Sequence, residues 1–292
     1  MKKTFFLLFC LLIAVSACRQ SMRTVPADNP RQGTTEEEAS VESFYDEQKA
    51  SEARNEQPAA NIRMMELPAP LKDRPEQILR KKGFTISYNK KTKVPNWVAW
   101  HLTKSHTYGR MQRHNEVFTP DDEVPSPRAI DDDYYTSRYD RGHMCPAGDN
   151  KWDAQAMRES FLFSNICPQN HGLNKNEWND LEIKCREWAR EFGAVDIVCG
   201  PVFGLHDNEM QQKTIGKNKV WVPDAFFKVV LCRKGYPKAI GFIYKNQGKY
   251  QRMSDCVYTV DEIERITGID FYPLLNDNIE DRVEADAMLS DW

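Results

Sequence analysis

From Phe84 onward the chain arranges its apolar residues in short periodic runs, which the preceding segment does not. Phe84-Thr-Ile-Ser-Tyr88 alternates apolar and polar positions as a half-buried strand does, and Pro95-Asn-Trp-Val-Ala-Trp-His-Leu102 reads as a second strand after a turn. Trp178, Leu181, Cys185 and Trp188 recur at helical spacing, which predicts a helix from Trp178 to Phe192, with Asn176 as its cap. Asp196 to Cys199 predicts a short buried strand that ends at Gly200-Pro201. Trp221 to Leu231 and Ala239 to Tyr244 read as sheet strands, and Asp261 to Gly268 as a short helix closed by glycine. Residues 119–137, with Asp and Pro throughout, read as loop. The pattern predicts one mixed α/β domain over 76–276 with disordered ends.

Those ends have their own chemistry. Lys2-Lys3 precede the apolar run Phe5 to Val15 and then Ser16-Ala17-Cys18, the layout of an export signal over 1–17. The apolar run is shorter than the roughly 20 residues a membrane-spanning helix needs. Val-Ser-Ala-Cys resembles a bacterial lipobox, which would make Cys18 a lipidated first residue and hold the protein at a membrane; ordinary cleavage with an incidental Cys18 is the alternative. Either route takes the protein out of the cytosol, to the periplasm or outer membrane. Residues 18–75 are rich in Glu, Gln, Ser, Asn and Pro and read as a disordered tether, ending in a turn at Gly83 after Ile78 to Lys82. Residues 277–292 set Arg282 against six acids and read as an acidic tail.

The net charge of −3 looks wrong for a protein that meets nucleic acid. Its distribution softens the objection, because the acidic excess lies in the two ends and leaves the middle mildly basic. Six cysteines follow Cys18: Cys145, Cys167, Cys185, Cys199, Cys232 and Cys256. They allow fifteen disulfide pairings, and no CxxC spacing suggests structural zinc. Cys145 and Cys167 are the pair next to the chemistry described below, either bridged or buried as small apolar groups.

The chemistry gathers in one window. Asp140-Arg141-Gly142-His143 sets a guanidinium and an imidazole two residues apart, so an extended strand points both to one side. Neutral imidazole can take a proton, and a guanidinium can grip a phosphate fork-wise. Gly142 between them would let backbone and substrate approach closely. Ser164-Asn-Ile-Cys-Pro-Gln-Asn-His-Gly-Leu-Asn174 then supplies amides with almost no charge. An amide oxygen suits Mg²⁺, which prefers oxygen and keeps several waters. Glu182 and Arg186 follow at the spacing of an ordinary helical ion pair. Lys213, Lys217 and Lys219 either line a nucleic-acid groove or sit in a solvated loop. His101, His106, His114 and His206 lack metal-ligand spacing.

Asp-Arg-Gly-His, Ser164-Asn-x-x-Pro-Gln169, Leu173-Asn174 and Trp178-x-x-Leu-Glu182, in that order, resemble the DNA/RNA non-specific endonuclease family, the endonuclease G-like ββα-metal or His-Me finger nucleases. The likeness runs from about Tyr88 to Leu275. It implies an α+β fold with a central antiparallel sheet flanked by helices, and a Mg²⁺-dependent enzyme, with Mn²⁺ as the alternative ion, that cuts DNA and RNA without sequence preference. By position, His143 would be the general base, Asn174 the metal ligand, and Glu182 the holder of a metal-bound water. Arg141 and Arg186 would contact phosphate, Asn165 would support the His143 arrangement, and Asp140 would brace the motif. The family often carries glycine where this chain has Arg138, which either adds phosphate affinity or faces solvent. A non-catalytic nucleic-acid-binding lipoprotein and a phosphodiesterase of small nucleotides are the rival readings; oligomeric state is left open.

Overall fold

The computed structural model describes residues 64–205 and 212–292. The export signal 1–17, Cys18, most of the 18–75 tether and His206 lie outside the described residues. Eleven strands are described: β1 Gln77–Arg80, β2 Thr85–Asn89, β3 Val94–Thr103, β4 Asp140–His143, β5 Ile166–Gln169, β6 Ala194–Val202, β7 Thr214–Ile215, β8 Val220–Trp221, β9 Ala225–Cys232, β10 Lys238–Lys245 and β11 Val257–Tyr258. The helices are α1 Asp131–Tyr135, α2 Ala154–Ser160, α3 His171–Lys175, α4 Glu177–Phe192, α5 Val260–Thr267 and α6 Asp277–Glu284. Among the described residues no helix is long and apolar enough to cross a membrane.

Seven strands form one antiparallel sheet in the order β1-β2-β3-β6-β9-β10-β11. Its central strands are buried on both faces, and the strand period of two sorts their side chains between two cores. On β9, Phe226, Val230 and Cys232 enter one core, while Phe227, Val229 and Leu231 enter the other. On β3, Val98, Trp100 and Leu102 face the first and Trp97 and Ala99 the second. Trp178, Leu181, Cys185 and Trp188 of α4 fill the first core, the face the sequence assigned them. Val260 and Ile263 of α5 and Val283 of α6 fill the second. The α+β architecture, a central antiparallel sheet with helices on both faces, is the one expected.

Several local expectations change. Residues Ile78 to Lys82 do not close a tether: β1 pairs along β2, and Leu67 and Leu71 already pack on the second core. The strand at Asp196 begins earlier and continues through Pro201, which sits opposite Phe226. Pro223 splits the expected Trp221–Leu231 strand into β8 and β9. The loop 119–137 contains α1, where Asp133 accepts from the Ile130 amide (3.0 Å) and from the Asn218 backbone and side chain, tying α1 to the β7–β8 hairpin. The acidic tail is largely structured, because α6 buries Val283 and Trp292 stacks edge-on against Trp188 at 4.9 Å. Asn176 takes the N-cap position of α4, as expected, but makes no side-chain cap bond; its side chain donates back to the Gly172 carbonyl. Gly268 closes α5 in the left-handed region (φ 67°), as its position in the sequence suggested.

Candidate active site

The two motif halves become neighbours through a two-stranded ribbon. β4 and β5 pair antiparallel, with Asp140 opposite Gln169 and His143 opposite Ile166. The chain then turns through α3 into α4, so Asn174 and Glu182 come down beside His143. A cleft of about 490 Å³ results, lined among others by Arg141, His143, Asn174, Glu182 and Arg186. Five of the six residues expected to carry chemistry therefore meet in one place.

Asn165 is the sixth, and it lies behind them, fully buried. Its Oδ1 accepts from the Cys145 amide (2.9 Å), and its Nδ2 donates to the carbonyls of Cys145 (2.9 Å) and Ser160 (2.8 Å). The amide thus clamps the backbone just beyond His143. Within the described structure its hydrogen bonds are to backbone groups alone.

His143 packs against Phe118 (5.4 Å) and edge-on against Phe161 (4.9 Å). Nε2 is sealed from solvent without a hydrogen-bond partner, which leaves Nδ1 as the nitrogen open to the cleft. Burial, reinforced by the Arg113 charge, lowers the imidazole pKa to about 3. The ring is therefore neutral throughout the physiological range. Glu182 shifts the other way: burial pushes it up to about 7, against the pull of Lys228 and Arg186.

Asp140 braces the site, as the sequence suggested. Its Oδ2 accepts from Asn174 Nδ2 at 2.9 Å and meets His171 Nδ1 at 2.9 Å, which gives His171 a place in the same network. With its amide nitrogen engaged, Asn174 keeps Oδ1 as a free donor atom for a cation. The side-chain amides of Asn174 and Asn179, the carboxylates of Asp140 and Glu182 and the lack of any thiolate among the residues lining the cleft fit a hard divalent ion that keeps most of its waters. Asn174 would hold such an ion and Glu182 would orient its water.

Arg141 does not reach freely into the cleft. Its Nε donates to Asp131 at 2.6 Å, and its guanidinium lies over Phe118 and Tyr134, each at 5.7 Å. Arg186 does not form the helical ion pair with Glu182. Its Nη1 donates to Asp149 at 2.9 Å, while the other Asp149 oxygen accepts from Trp100 Nε1 at 3.1 Å. Both guanidinia are thus held in place by acids the sequence did not flag.

Residues 64–278 match the family model of the DNA/RNA non-specific endonucleases. The chain belongs to that family. It is 37% identical over 204 residues to the mitochondrial nuclease EXOG of Mus musculus, covering 65% of this chain but 55% of that protein. It is 31% identical over 208 residues to the mitochondrial endonuclease G of Homo sapiens, covering 68% of this chain and 70% of that one. Among solved structures it resembles an EndoG/EndoGI complex, with a TM-score of 0.69 and 26% identity over 75% of this chain and 94% of that one.

The cleft also contains residues the sequence did not reveal. Arg113, from the short turn Arg113–Asn115, Lys151 and Lys175 line it. Loop residues without periodicity offer no signal by which to find the first two. Gly142 has a different reason from the one expected: a Cβ there would meet Gln169 Oε1 at 2.3 Å across the ribbon. The glycine makes room for a buried side chain and not for substrate. Arg138, where the family often has glycine, adopts a left-handed φ of 64° and is exposed. Cys145 and Cys167 are buried and unbridged, as are the other four described cysteines. Lys213 bonds the Tyr139 hydroxyl at 2.7 Å, beside β4 but outside the cleft lining.

Proposed function

We propose that this chain is a Mg²⁺-dependent, sugar-non-specific endonuclease that hydrolyses phosphodiester bonds of DNA and RNA. The observation that carries the reading is that His143, Asn174 and Glu182 line one cleft together with several guanidinium and ammonium groups. His143 Nδ1 takes a proton from water as the oxygen attacks phosphorus, and the P–O3′ bond breaks while the departing 3′ oxygen takes a proton from a second water, leaving a 5′-phosphate and a 3′-hydroxyl. Arg141 and Arg186 hold the phosphoryl oxygens, already oriented by Asp131 and Asp149. When bound, the metal supplies positive charge to the phosphoryl oxygens and the departing 3′ oxygen. Nothing in the cleft resembles a base-reading element, in keeping with contact to backbone alone.

Nicking of supercoiled plasmid with Mg²⁺ or EDTA, beside His143→Ala, tests this. Cutting that needs Mg²⁺ and falls by about 10²-fold or more in the variant is expected. DNA binding without cutting by either protein would favour the binding-protein reading. Hydrolysis confined to small nucleotides would favour the phosphodiesterase.

The same proposal puts the enzyme outside the cytosol, tethered through Cys18, on the strength of the charged, apolar and small-residue order of residues 2–18. Incorporation of labelled palmitate that disappears in Cys18→Ser is the expected result. Export with no label in the parent protein would leave ordinary signal cleavage.

A further inference from the structure

On the sheet face opposite the cleft lies a group of carboxylates that the nuclease chemistry does not use. Asp261 and Glu264 stand one turn apart on α5, and Glu284 ends α6. One carboxylate oxygen from each lies within 4.8 Å of the others. Glu284 is the informative member. It is 6% exposed, and its Oε1 is sealed from solvent with no hydrogen-bond partner. A buried carboxylate oxygen without a donor is costly unless a cation or a proton compensates it. Glu264 uses Oε1 to accept from the Phe271 amide at 2.7 Å, which leaves its other oxygen free. Among the described residues none of the three forms an ion pair. After burial, the charges acting most on Glu284 are those of Glu264, Glu280, Asp261 and Asp270, all carboxylates, and they push it up to about 9.

We propose that Asp261, Glu264 and Glu284 bind one hard divalent cation, Ca²⁺ by preference, which ties α5 to α6. An all-oxygen donor set excludes the ions that favour thiolate or imidazole. Oxygens about 2.3–2.6 Å from a shared Ca²⁺ can stand up to roughly 5 Å apart, which the observed spacing satisfies. Mg²⁺ keeps more of its waters and is usually held by one or two carboxylates, so three favour the larger ion. The consequence is structural. Ile279 and Val283 of α6 pack on the second core, so a cation shared with α5 would fix the C-terminal helix to the sheet. This site stands independently of the nuclease reading.

Thermal unfolding of the full chain in EDTA, CaCl₂ and MgCl₂ tests it, with Glu284→Gln and Asn174→Ala alongside. Saturating Ca²⁺ should raise the parent Tm by about 5 °C or more. Asn174→Ala should keep that shift, because its lesion lies in the catalytic cleft. Glu284→Gln should lose it, yet unfold in EDTA close to the parent temperature, since the amide keeps the size of the carboxyl group and the fold is intact. No Ca²⁺ shift in the parent, or a full shift in Glu284→Gln, overturns the proposal. An equal shift with Mg²⁺ that Glu284→Gln abolishes supports the site and overturns its assignment to calcium.

Discussion

Two titratable groups in the cleft have exchanged their usual places. A histidine that ordinarily titrates near 6.5 sits at about 3, and a glutamate that ordinarily titrates near 4.5 sits at about 7. The imidazolium is disfavoured in the folded protein, so the neutral base persists as pH falls through 6.5. Below 6.5 the unfolded chain takes up a proton that the folded His143 refuses, so this residue costs stability progressively down to about pH 3. An acid limb of kcat/KM lying between pH 6 and 8 should therefore report ionisation of Glu182 and not of His143. Higher Mg²⁺ should move that limb to lower pH, because a nearby cation favours the carboxylate. In Glu182→Gln the residual activity should be flat from pH 7.5 to about 5. A limb unchanged in that variant would return the titration to His143 and sink the assignment.

At the level of elements, the site depends on a ribbon only four residues long on each strand, and Gly142 decides whether it can form. A methyl group at 142 would stand 2.3 Å from Gln169 Oε1 and 2.5 Å from its Cβ, with both residues buried. Gly142→Ala should thus displace β4 from β5, lowering activity at least about tenfold at an overpacking cost of about 1–3 kcal/mol. Gly142→Ala/Gln169→Gly should recover part of both losses, measured by plasmid cleavage and urea unfolding. Equal activity in Gly142→Ala and the parent would show that the ribbon tolerates the change. The ribbon also marks the limit of what the sequence made legible. Asp140 to His143, Asn174 and α4 could be read because each lies in a compact motif or a periodic run. The partners that orient them, Asp131, Asp149 and Phe118, come from loops and one-turn helices whose order depends on tertiary contacts. The C-terminal segment misled for a related reason. Its charge pattern reads as solvated, yet a few apolar residues (Ile279, Val283 and Trp292) suffice to seat it.

For the whole molecule, the proposed function sets a net charge of −3 beside binding to a polyanion. Local field, not total charge, resolves this, because the cleft gathers Arg113, Arg141, Lys151, Lys175 and Arg186 around only Asp140 and Glu182. Arg141 and Arg186 already pair with Asp131 and Asp149, so their binding to phosphate exchanges one anion for another. Among the described residues Arg113, Lys151 and Lys175 form no ion pair, and they are the cations free to displace counterions. Each neutralised phosphate contributes a slope of about −0.9 in log K against log salt on duplex DNA. Three free cations therefore predict a slope near −3 for the inactive His143→Ala protein on a short duplex, and five would set a bound of about −4.5. Adding Lys175→Ala should flatten the slope by about 1 and weaken binding alike for every sequence tried. A slope well steeper than −4.5 would mean that the nucleic acid reaches a surface beyond this cleft, and a slope near zero would mean that the polymer is not bound here at all.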